Sequence, residues 1–70
     1  MSNNLLIIDK NKYLIARARA GIINEQKQIG VQHKIAKKIQ NEEPVQLRVV
    51  IRIANALGVD PAEIVKEVSE

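Results

Sequence analysis

Seventy residues and 7.8 kDa make one small domain, too short to set a cofactor domain beside a substrate domain. The chain has no cysteine and one histidine, which excludes a disulfide scaffold and a thiolate zinc site and leaves no dedicated set of transition-metal ligands. Its net charge is +3, its pI is near 9.5 and 46% of its residues are hydrophobic, a balance that suits a packed helical core and a polyanionic partner.

In chain order, the first apolar run is Leu5-Leu6-Ile7-Ile8. A short strand, a helix start and an apolar arm packed over the rest are all open for it, and residues 1–11 are set apart as an N-terminal arm ahead of a domain over 12–70. The run is too short to span a membrane or to serve as a signal peptide, so a cytoplasmic chain without membrane contact is expected. Lys12 to Ala20 reads as a first helix, stopped at Gly21, with Ile22 and Ile23 entering the core beyond it. Asn24 caps a second, very short helix over Glu25 to Ile29. Gly30-Val31 makes a tight turn into a third helix over Gln32 to Gln40. Ile35, Ala36 and Ile39 share its inner face, and Lys34, Lys37 and Lys38 its outer one.

Leu47, Val50, Ile51, Ala54 and Leu57 follow the i, i+3, i+4, i+7 template, with Arg48, Arg52 and Asn55 on the other side. They predict a fourth helix that ends at Gly58. Asp60-Pro61-Ala62-Glu63 then combines a capping carboxylate, a first-turn proline and the glutamate of a capping box. It predicts a fifth helix with Ile64, Val65 and Val68 turned inward. The sum is an all-α, compact five-helix bundle with Tyr13 in the core or at its rim.

The charge is gathered unevenly. Lys10, Lys12, Arg17, Arg19, Lys27, Lys34, Lys37 and Lys38 stand against Glu25 alone, a net of +7 over residues 10–38. From Asp60 onward, Asp60, Glu63, Glu67 and Glu70 face only Lys66, a net of −3. A basic half of this kind is an electrostatic footprint for a polyanion, with a merely solvated surface as the alternative. Tyr13 is the only aromatic residue, which argues against a single-strand binder that stacks bases on aromatic rings. No Ser/His/Asp set, carboxylate pair or Gly-rich phosphate loop is present, so neither an enzyme nor a cofactor is expected.

The stretch Ile29-Gly30-Val31-Gln32, followed by Ile39-Gln40-Asn41 and then by Ile53-Ala54-Asn55-Ala56-Leu57-Gly58-Val59-Asp60, resembles the phage-repressor and Cro type of helix-turn-helix, the XRE-like family. That family typically reads Leu-Gly-Val-Ser at the turn, Ile-Glu-Asn-Gly after the recognition helix and a closing Ala-x-Ala-Leu-Gly-Val. The resemblance covers roughly residues 12 to 67. It implies a lambda-repressor-like DNA-binding domain and a small Cro-like repressor that inserts the helix 32–40 into the major groove of a double-stranded operator.

By the same resemblance, Gln32 and His33 open the recognition helix near base edges. Gln32 is the best base reader, because its amide can pair both ways with adenine N6 and N7. Lys34, Lys37 and Lys38 face bases or flanking phosphates, and Gln40 and Asn41 fall in a loop used on the backbone. Arg17 and Arg19 either clamp phosphate or pair with Glu25. Two half-sites about 34 Å apart imply a homodimer on DNA, with Leu5 to Ile8 or the last helix as its contact. The chain departs from the family twice. Asn24 to Ile29 lacks the usual Leu-Ala pair, and Glu42-Glu43 stands where the family has glycine. These departures keep open an alternative: an antirepressor that uses the same fold to bind a partner repressor protein.

Overall fold

Side chains cap the N-termini of two of the four α-helices and of the 3-10 turn. In the computed structural model, which describes residues 5–66, the order is β1 (Leu5–Ile7), α1 (Lys10–Ala20), α2 (Glu25–Gln28), α3 (His33–Gln40), β2 (Pro44–Gln46), α4 (Leu47–Leu57) and one 3-10 turn over Pro61–Glu63. Asp9 caps α1 by accepting from the Lys12 N–H at 3.0 Å, so the helix starts two residues before Lys12. Asn24 caps α2 by accepting from the Lys27 N–H, also at 3.0 Å. Gln32 is the N-cap of α3 and not its first residue. Gly21 and Gly58 close α1 and α4 at φ +72° and +74°, a left-handed conformation that glycine adopts without a Cβ penalty.

An all-α five-helix bundle does not describe this chain: the described residues form four α-helices and a two-stranded antiparallel sheet. Leu5–Ile7 is a strand, with Leu5 opposite Gln46, Leu6 opposite Val45 and Ile7 opposite Pro44. Proline is tolerated there because Ile7 turns its carbonyl to the other edge, where it accepts from the Lys66 N–H at 2.7 Å. The expected fifth helix is also cut short. Asp60 and Glu63 do form the capping box, but the chain leaves helical geometry after one 3-10 turn. Val65 bridges Ile8, and the Asp9 N–H donates to the Ile64 carbonyl at 2.8 Å.

The physical reason is the open edge of β1. Ile8 is 1% exposed, and a helix continued past Ile64 would leave the backbone groups beside it unpaired. Val68, the last of the expected inward residues, lies outside the described residues.

The core is built from the inner sides of these elements. Ile8, Tyr13, Val31, Ile39, Val45 and Ile64 meet Val50, Ile53, Ala54 and Leu57 of α4. Two expected core positions are corrected. Ile51 is 40% exposed whereas Ile53 is 1% exposed, so the buried stripe of α4 is 50, 53, 54 and 57. Ile23 is 87% exposed, with its carbonyl accepting from Arg17 Nη2, and of the two isoleucines only Ile22 packs against the core. Of the apolar groups considered for a homodimer contact, Ile8 and Ile64 are buried and Leu6 and Val65 pack against the core.

The corrected stripe makes a stability prediction. Ile53→Ala should cost about 2–5 kcal/mol in urea denaturation, a large share of what so small a domain has. Ile51→Ala should cost under about 1 kcal/mol. Equal losses would contradict the orientation of α4.

Candidate nucleic-acid interface

α3 presents two different faces. Ile39 is buried and Ile35 and Ala36 pack half-buried against the core, which fixes the inner side. Gln32, His33, Lys34 and Lys37 are exposed on the outer side, and Lys38 is half-buried at its edge. No acidic residue interrupts the helix. The Gln32 side chain makes no capping hydrogen bond, so its amide is available to an outside partner. At the other end, Gln40 and Asn41 are exposed, and the Asn41 amide donates to Glu43 Oε2 at 3.4 Å. Seven of the expected residues thus lie on α3 or at its two ends, six of them exposed and Lys38 half-buried: Gln32, His33, Lys34, Lys37, Lys38, Gln40 and Asn41.

The two arginines of α1 go elsewhere. Arg17 Nη1 lies 3.5 Å from Glu25 Oε1, its Nη2 donates to the Ile23 carbonyl at 3.0 Å, and its guanidinium sits 5.6 Å from the centre of the Tyr13 ring. Arg19 is exposed on the flank of α1, beside Val59 and Glu63. Of the two open possibilities, Arg17 therefore takes the pairing with Glu25.

A polar knot positions α2. The Tyr13 hydroxyl donates to Glu25 Oε1 at 2.6 Å, and Gln28 Oε1 accepts from the N–H groups of Ile23 and Asn24 at 2.7 Å each. Burial pushes the Tyr13 hydroxyl well above its ordinary pKa, and the Glu25 carboxylate adds to that shift while Arg17 opposes it. Where the family resemblance leads one to expect a Leu-Ala pair, this chain fastens a four-residue helix by hydrogen bonds. Val31 then drops into the core at 2% exposed, and its N–H donates to the Glu25 carbonyl at 3.1 Å. A groove of about 390 Å³ runs between α1 and α3, with Tyr13, Arg17, Ala36, Gln40 and Asn41 among its walls.

Glu42 plays a role that its sequence context did not reveal. It adopts φ +53°, the left-handed conformation for which a glycine is the easy choice. Its carboxylate accepts from the Lys66 ammonium at 2.8 Å and from the Lys10 N–H at 3.2 Å. The Lys66 bond, and after it the Lys10 N–H, hold the Glu42 carboxyl below its ordinary value, and the same pair raises Lys66.

Among the described residues no group of three His, Asp or Glu side chains converges to hold a metal. No helix among them is long and apolar enough to cross a membrane. No protein-family model, curated protein or solved structure matches the chain.

Two predictions concern these bonds. Tyr13→Phe should destabilise the fold by of order 1 kcal/mol and raise the hydrogen-exchange rate of α2 amides more than that of α4 amides; uniform loosening would show that the knot does not hold α2. Glu42 has a depressed folded pKa, so its contribution is present above its ordinary value of 4.5 and is lost as pH falls through the folded value. The urea midpoint of the native chain should therefore fall on acidification from 4.5 down to the folded value, and Glu42→Gln should fall less. Superimposable pH profiles would remove Glu42 from the account.

Proposed function

We propose that this chain is a small DNA-binding transcriptional regulator of the phage-repressor and Cro type that it resembles, acting as a repressor by laying α3 in the major groove of an operator. The observation that carries the reading is the outer face of α3: an uninterrupted cationic and amide-bearing strip on a helix whose opposite face is anchored in the core. An α-helix with its side chains is about 10–12 Å in diameter, which fits a major groove about 12 Å wide.

Each residue takes a role from its place on that strip. Gln32 and His33 stand at the N-terminal end, which reaches base edges in this docking mode. Lys34, Lys37 and Lys38 supply compact charges for phosphates, which position without specifying. Gln40 and Asn41 lie where the backbone passes the C-terminal end. Glu42 does not oppose this contact as a bare carboxylate, since Lys66 and the Lys10 N–H engage it. Two such chains on a two-fold operator would put their α3 helices about 34 Å apart.

A second reading, an antirepressor that binds a partner repressor, is favoured by one observation. α2 is four residues long with none buried, a slight brace for a recognition helix. Duplex DNA titrations separate the two. On the first reading affinity falls steeply with salt as lysines displace counterions. Lys34→Ala and Lys37→Ala should each weaken binding to every sequence and flatten the salt slope by about 1. Gln32→Ala should cost about 1–3 kcal/mol on the cognate site only. A double lysine variant with an unchanged slope would overturn the α3 contact.

A further inference from the structure

Among the described residues, six carboxylates are already engaged within the fold. Asp9 and Asp60 cap helices, and Glu63 closes the capping box. Glu25 holds Tyr13 and Arg17, Glu42 holds Lys66, and Glu43 accepts from Asn41. None of them serves α4. Arg48 and Arg52 lie one turn apart on its exposed face, and the polar contact made there is Arg48 Nε donating to Gln46 Oε1 at 3.0 Å. Residues at this spacing are surface neighbours, with Cβ atoms about 5–6 Å apart.

These arginines do not stand on a flat polar surface. With Gln46 and the half-buried Val49 they line a shallow depression of about 370 Å³. Ile51, between them in sequence, is 40% exposed, and Leu5, opposite Gln46 in the sheet, is 51% exposed. We propose that this face docks an acidic segment of a partner protein. A glutamate or aspartate would rest its methylene stem on Val49 and accept from the two guanidinium forks, and its apolar neighbours would cover Ile51 and Leu5.

Charge complementarity selects a carboxylate or a phosphate, and the apolar part of the surface selects between them. A phosphate backbone offers only the C–H edges of its sugars to Val49, Ile51 or Leu5, far less apolar surface than aliphatic side chains would. An arginine-bearing patch with aliphatic residues beside it has the make-up of a protein interface, and the planar guanidinium fork matches a carboxylate in two-point contact. The proposal goes beyond the DNA reading and uses a different helix, so either can fail without the other.

The test uses the full chain and a synthetic helical peptide with glutamates at i and i+4 bracketing a leucine, beside the same peptide with glutamines. NMR titration should shift the Arg48 and Arg52 Nε–H signals and the Ile51 methyls with the glutamate peptide. Arg48→Gln with Arg52→Gln should weaken that binding about tenfold or more, and Lys34→Ala with Lys37→Ala should leave it within about twofold. Both pairs are on exposed positions, and circular dichroism checks that the fold is kept. Equal binding of the two peptides, or shifts centred on α3, would overturn the proposal. So would a loss of duplex DNA affinity in the arginine variant as large as in the lysine variant, which would make α4 a backbone contact. Movement of the same signals with protein concentration alone would also overturn it, by making the occupant a second copy.

Discussion

The exit of α3, the start of α1 and the C-terminal segment are tied together at Glu42. Its carboxylate takes the Lys10 N–H at the start of α1 and the Lys66 ammonium beyond the 3-10 turn. Beside it, Ile8 and Val65 bridge, and β1 pairs with β2 immediately after the turn that Glu42 makes. A domain this small buries only about 60% of the surface its unfolded chain exposes, and core area alone holds α3 weakly. Joining the start of α1 and the segment at Lys66 to the α3–β2 turn supplies a further constraint. The contact is exposed and worth little as an isolated ion pair, but it sits on a ladder of backbone bonds from Asp9 to Lys66 that gives it a fixed geometry.

The other end of α3 is held by different means. Tyr13, Arg17 and Glu25 form a small polar cluster in which one carboxylate oxygen serves both the hydroxyl and the guanidinium. Charge-assisted bonds of this kind are stronger than neutral ones and directional, which suits a four-residue helix with no buried side chain of its own. The cost shows at Arg17, whose Nε is buried without a partner. α3 is thereby clamped from both sides, by a knot at the α2 end and by the Glu42 junction at the β2 end. Its lysine face does none of this holding.

What could be read in the sequence follows from how local each interaction is. The caps at Asn24 and Asp60 and the stop at Gly58 depend on residues within four positions, and all three are where the pattern put them. The inner face of α3 was equally legible. β1 and β2 were not, because strands of three residues carry no measurable alternation and pair across about forty positions. The fifth helix failed for a related reason: its capping box is sound, but the free edge of β1 competes for the backbone just after it, and no local signal reports that edge. On α4 two apolar templates were possible, through Ile51 or through Ile53, and only packing chose the second. The bond from Lys66 to Glu42 is equally out of reach of a local pattern, because it joins residues 24 positions apart.

The cations divide by chemistry as well as by place. α3 carries only lysines, point charges on flexible stems that suit phosphates at varied angles. α4 carries only arginines, set beside aliphatic surface, where a planar and weakly hydrated fork loses less on desolvation. Counting charges along the chain hides this division, since Arg48 and Arg52 cancel Glu42 and Glu43 on paper. In space the glutamates bond to Lys66, the Lys10 N–H and Asn41, and among the described residues no carboxylate pairs with those two arginines. A net charge of +3 thus understates the positive surface that this fold offers on two separate helices.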